Sequence, residues 1–181
     1  MSLREFLFGK KEQEVDVPAE PAHENAWLSS NFTFRWVTRL KNWGITDKEY
    51  SKERHHKKTD DEAIFSLYKK LLVQHKNDML VQQALYYELA MIDAELGRDP
   101  KPNLVLAQKN LLAHYHHSKN IRSVVIESNK DACASCKKLD GWVLTFSEVT
   151  KQHPLPNLKC MKKHGKKSFC RCIYGPMARI E

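Results

Sequence analysis

The sequence predicts an α+β chain, with a mainly helical N-terminal bundle followed by a small C-terminal zinc-binding module. Three observations carry that reading. Apolar residues recur every three or four positions through much of 59–117, short β-branched runs replace that period after residue 120, and all five cysteines lie beyond residue 132. At 181 residues the chain can hold one ordinary domain or two small ones. The expected divisions are a short helix and flexible arm at 1–26, a helical domain at 27–120 and a cysteine-rich module at 121–181.

Leu3, Phe6 and Leu7 have the spacing of one short helical turn, and residues 9–26 mix charges with two prolines and no apolar period, which suits an exposed arm. In 31–44, Phe32, Trp36, Leu40 and Trp43 would share one helical face, with Arg35, Arg39 and Lys41 opposite or beside it. That pattern predicts buried tryptophans; the aromatic and basic interleaving could instead stack unpaired bases. Lys48–Lys58 is dominated by charge and reads as a linker. Thr59 and Glu62 form a capping box, so a helix is expected from there to about residue 75 on Ile64, Leu67 and Leu71. A second helix is expected over 79–96, closed by Gly97, and a third over 104–117 on Leu104, Ala107, Leu111 and Tyr115. Short connections between the three give an antiparallel bundle. His114 and His117 stand one turn apart, but imidazoles at a helix C-terminus also serve as favourable end charges.

Beyond residue 120 the expected elements are a strand on Ile121, Val124, Val125 and Ile126, a turn at Gly141 leading into a strand on Trp142–Leu144, and a helical turn from Ser147. Pro154 and Pro156 then interrupt regular structure, and a last strand is expected over Cys170–Tyr174.

The charge is uneven. Residues 1–100 hold 15 Lys and Arg against 17 Asp and Glu, whereas 101–181 hold 15 against 5, so the +8 of the whole chain belongs to its C-terminal part. Such a field attracts phosphates or acidic partners. The longest apolar runs are a few residues, too short for a bilayer, and the N-terminus has no secretory pattern, so no membrane role and a cytoplasmic location are expected.

Five cysteines, an odd number clustered in pairs, argue for metal ligation over disulfides. Cys133-Ala-Ser-Cys136 supplies two sulfurs from a tight turn; Cys160 follows the proline-rich loop, and Cys170-Arg-Cys172 closes the set. Four of the five can complete a tetrahedral structural zinc site, with Cys133 and Cys136 as fixed members and two of Cys160, Cys170 and Cys172 beside them. A strand through 170–172 would put both of its sulfurs on one face, and His153 or His164 could replace one ligand. Iron suits the same donors, and zinc is the default. A thioredoxin-like redox pair is disfavoured because KKLDG follows Cys136, where an active thiol pair would open a helix.

The order Cys-x-x-Cys, Leu139-Asp140-Gly141, His153-Pro154 and Cys170-Arg171-Cys172 resembles the cysteine-rich C-terminal module of phage head morphogenesis or minor capsid proteins. The resemblance covers about 121–176 and departs from it at Cys160 and at the inserted MKKHGKKSF. It implies a metal-supported or compact folding module and a phage-related origin, and it transfers no catalytic reaction.

These features lead to three functional expectations. The first is a zinc-stabilised interaction or assembly domain, with a protein partner or self-association. In it the metal replaces hydrophobic burial that the cysteine-rich tail lacks. The second is nucleic-acid binding through Lys159, Lys162, Lys163, Lys166, Lys167 and Arg171, beside the metal. The third is a metal-dependent enzyme, for which Asp140, Glu148 and His153 are the nearby acid or base groups. No His-Glu-x-x-His element, phosphate loop, dinucleotide fingerprint or serine elbow is present, so no catalytic residue is assigned.

Overall fold

The structure, a computed structural model, describes residues 24–178, with side chains from residue 31 onward. The expected N-terminal turn at Leu3–Leu7 and all but the last three residues of the 9–26 arm lie outside that range. Five helices come first: α1 (Glu24–Asn42), α2 (Asp47–His55), α3 (Asp60–Gln74), α4 (Met79–Leu96) and α5 (Lys101–His117). A small β and cysteine-rich part follows, with β1 (Ile121–Glu127), α6 (Ala134–Lys137), β2 (Val143–Thr145), α7 (Phe146–Gln152), the two-residue strands β3 (Lys163–His164) and β4 (Lys167–Ser168), and β5 (Ile173–Ala178). The α+β expectation is met.

Two compact units divide the chain between Lys70 and Leu71. The sequence division at residue 120 followed the change in periodicity; by compactness, α4 and α5 belong with the cysteines. In the first unit Trp36, Leu40, Ile64, Leu67 and Tyr68 are buried, and Trp36 meets Tyr68 edge-on at 6.2 Å. The expected face of α1 is therefore used at its centre, while Phe32 and Trp43 are half-buried.

Lys48–Lys58 is no linker. Thr46 and Glu49 form a full capping box that starts α2, the Thr46 hydroxyl accepting the Glu49 N–H and the Glu49 carboxylate accepting the Thr46 N–H. The helix has no apolar stripe for periodicity to detect. It turns Glu53 inward instead, where the carboxylate pairs with Lys70. At α3 the box is offset by one residue: Thr59 Oγ1 accepts the Glu62 N–H at 3.4 Å, and the Glu62 carboxylate accepts from Lys58 N at 3.0 Å.

In the second unit α4 is buried on most sides, with Leu85, Leu89, Ala90 and Ile92 inside, and ends at Gly97 in the left-handed conformation (φ 81°). α5 begins three residues earlier than expected, because Pro102 sits in the first turn, where its missing N–H has no helical partner to lose. The sheet has the order β2-β1-β5, with β1 antiparallel to both neighbours. Val124 and Ile126 alternate inward from β1. At Gly175 a Cβ would lie 2.1 Å from Glu127 Oε1, so a side chain there would push the Glu127 carboxylate aside.

Candidate metal centre

The loops that bring the cysteines together are short and tied at their ends. Cys133 is the N-cap of α6, and the backbone N–H groups of Cys136 and Lys137 both donate to its carbonyl, folding Cys-Ala-Ser-Cys into one turn. Asp140 Oδ1 accepts the Ser128 N–H at 2.6 Å and closes the loop from β1 around that turn. Asn157 holds the proline-rich loop: its carbonyl accepts the Cys160 N–H and its Oδ1 accepts the Lys159 N–H. Tyr174 fixes the other side, with its hydroxyl accepting from Leu155 N at 3.3 Å.

The strand expected at Cys170–Tyr174 begins at Ile173 and runs to Ala178. Cys170 and Cys172 thus precede the ladder. Their carriers are anchored separately: Gln108 of α5 donates to the Cys172 carbonyl at 3.1 Å, and Phe169 N–H donates to Lys162 O at 2.8 Å. The chain can therefore curl both thiols inward without strand alternation.

Two triads result. Cys133, Cys136 and Cys160 form one, and Cys136, Cys170 and Cys172 the other; within each, the sulfurs lie within 4.8 Å of one another. Cys136 belongs to both. Cys133 Sγ stands 3.9 Å from Cys160 Sγ. Thiolates 2.3 Å from a tetrahedral zinc are ~3.8 Å apart, so that separation fits coordination, whereas a disulfide needs about 2.05 Å. All five cysteines are free thiols and, apart from half-buried Cys133, all are buried. A small cleft opens beside them, lined by Cys133, Cys136, Cys160 and Cys172 together with Asp131 and Arg171.

Polar groups surround the sulfurs. Ser135 Oγ lies 3.2 Å from Cys133 Sγ, Asn157 N–H donates to Cys170 Sγ at 3.3 Å, and Asn157 Nδ2 reaches Cys136 Sγ at 3.5 Å. The Ser135 hydroxyl, with the Met161 backbone N–H, holds Cys133 down to about 5. Cys172 beside it and the Asn157 N–H hold Cys170 down to about 6, against burial. Burial pushes Cys136 and Cys160 upward. The Cys170 sulfur raises Cys172 in turn, helped by burial.

The remaining candidates fall elsewhere. His164 Nε2 lies 2.9 Å from Glu95 Oε1 on α4, and His153 caps α7 in the left-handed conformation (φ 45°); neither belongs to a triad. His117 Nδ1 sits 2.7 Å from the Ala113 carbonyl, as an end cap would. Glu148 pairs with Thr145 in a capping box. Of the basic residues, Lys162 and Arg171 share Asp131, at 2.6 and 3.7 Å, while Lys159, Lys163, Lys166 and Lys167 are exposed. Sequence reasoning missed Asn157, Ser135 and the β3–β4 hairpin. The His-Gly-Lys-Lys turn was a signal for the hairpin, since Gly165 adopts φ 60° there. No family model, curated protein or solved structure matches the chain.

Proposed function

We propose that the second unit is a zinc-stabilised interaction or assembly module, with one ion held by four of the five cysteine thiolates. The observation that carries it is the meeting of the two triads at Cys136. Cys136 is accordingly the indispensable ligand. Cys133 stands with it on the shared turn, and two of Cys160, Cys170 and Cys172 complete the tetrahedron. The ion's work is structural: it ties the α6 turn, the loop at Cys160 and the segment Cys170–Cys172 to one another.

A structural role is supported by what the nearby carboxylates do. Asp140 accepts a backbone N–H, Glu148 caps α7, and Asp131 faces Lys162 and Arg171. Each has a structural task that competes with acid or base chemistry. The likeness to the C-terminal module of phage head morphogenesis proteins belongs to this proposal as well, since a metal-braced end suits an assembly protein.

Elemental analysis of the reduced, purified chain tests the reading. One zinc per chain is expected, falling below a tenth of that in Cys136→Ser and unchanged in His153→Ala. Wild-type protein purified under zinc-replete conditions that is folded and carries no metal would contradict it.

A further inference from the structure

The lysine-rich loop beside the sulfurs is not a loose tether. Cys160 fixes one end in the thiol cluster. At the tip, Gly165 rests so closely on α4 that a Cβ would lie 2.7 Å from the Glu95 Cα, the Lys166 N–H donates to the Ala94 carbonyl at 3.1 Å, and His164 meets Glu95. Phe169 anchors the return strand edge-on against Tyr87, with ring centroids 5.2 Å apart. A hairpin fastened at three places presents its side chains without first paying to order them.

Those side chains are Lys163, Lys166 and Lys167, joined by Lys159 just before Cys160; all four are exposed, none within salt-bridge reach of a carboxylate among the described residues. Residues 149–178 contain seven Lys and Arg and no Asp or Glu; Asp131 engages Lys162 and Arg171 and Glu95 engages His164, which leaves these four lysines as the uncompensated charge. Leu158 and Met161 flank Cys160 at 70% and 79% exposure. Resting on the metal-module reading, we propose that this hairpin and the segment leading into it bind single-stranded nucleic acid, the four lysines on phosphates and the exposed Leu158 and Met161 beside Cys160 against unstacked bases.

Two physical arguments select that partner. Lysine is depleted from protein–protein interfaces, whereas interfaces with nucleic acid are strongly cationic and wet. Among nucleic acids, exposed Leu158 and Met161 beside the lysines favour a single strand, because base faces are open to apolar contact only where the bases are unstacked, whereas a duplex offers the lysines phosphates alone. Unbranched methionine adapts to any base face, which predicts tolerance of sequence.

The test uses the full zinc-loaded chain and a fluorescently labelled mixed-sequence 20-nucleotide single strand, followed by anisotropy across a salt series. Four phosphate contacts predict a slope of log K against log salt of about −2.8. In the variant Lys159→Gln, Lys163→Gln, Lys166→Gln, Lys167→Gln, zinc content and melting should be unchanged while affinity falls at least tenfold and the slope flattens toward zero. Leu158→Ser with Met161→Ser should weaken binding several-fold and leave the slope alone. Unchanged affinity in the quadruple variant would overturn the proposal, as would tighter binding to a duplex of the same sequence or equal binding to poly-glutamate. Zinc present without strand binding contradicts this inference alone; strand binding by a metal-free, folded protein contradicts the metal module.

Discussion

The two compact units solve the same problem with different materials. The first closes around Trp36, Leu40, Ile64 and Tyr68, admits one inward carboxylate on α2, and answers it with Lys70. The second has an apolar core of its own, with Leu85, Ile92, Leu111, Ile126, Phe169 and Tyr174 fully buried or nearly so, yet it must also hold down loops that carry few apolar residues. Thiols gather where those loops meet. Helices joined by short turns can be stabilised by side-chain burial alone; loops whose backbone polar groups point in many directions need a tie that acts through a few atoms.

The largest effect that would break this comparison is expected from Cys136→Ser. Both triads lose their common member, and loss of the proposed zinc should move unfolding of the second unit down by ~15 °C or more while the first unit's transition stays in place. Differential scanning calorimetry reads both transitions. Cys160→Ser or Cys170→Ser should each do less, since five thiols supply four positions.

Trp36→Ala is the mirror experiment. Emptying that site should cost about 3–5 kcal/mol, seen as a lower denaturation midpoint for the first unit, with zinc content unchanged. Metal loss in this variant would mean that the units do not stabilise themselves separately.

Gly165→Ala sharpens the comparison inside the second unit. The left-handed backbone and the approach to Glu95 together predict a loss of about 1–3 kcal/mol and faster hydrogen exchange at Lys166 and Phe169. One zinc per chain should remain, because the glycine lies outside both triads.

The smallest effect concerns Glu53. Its hydrogen bond with Lys70, then one with Ser66, holds its carboxyl below the ordinary value of 4.5. A lowered folded value means that the contribution is present above pH 4.5 and lost as the pH falls through that lower folded value. Lys70→Met should cost about 1 kcal/mol at pH 7, measured by urea denaturation, and flatten this part of the acid dependence; an unaltered pH profile would remove the pair from the account.

How much of this was legible in the sequence differs between the units for a physical reason. Ile64, Leu67, Leu71, Leu104 and Leu111 repeat at helical spacing, so α3, α4 and α5 follow from local pattern. α2 escaped because its inward residue is a glutamate and its stripe is ionic, although Thr46-x-x-Glu49 signals its start. In the cysteine part, residue types announced the chemistry of the donors, while their arrangement depends on long-range ties: Asn157 to Cys170, Gln108 to Cys172, Gly165 to Glu95. None of these leaves a periodic trace. Cys170 and Cys172 look like same-face strand residues by spacing, but β5 begins only at Ile173; it lies at the sheet edge, where the missing N–H of Pro176 is tolerated.

Region-resolved hydrogen exchange, with and without a zinc chelator, tests the central claim most directly. Metal bracing of loops predicts that chelation speeds exchange at least tenfold across 129–172 and at the C-terminal end of α4, and leaves α1, α2 and the first two turns of α3 as they were. Unchanged protection of 129–172 in protein verified to be metal-free would contradict it.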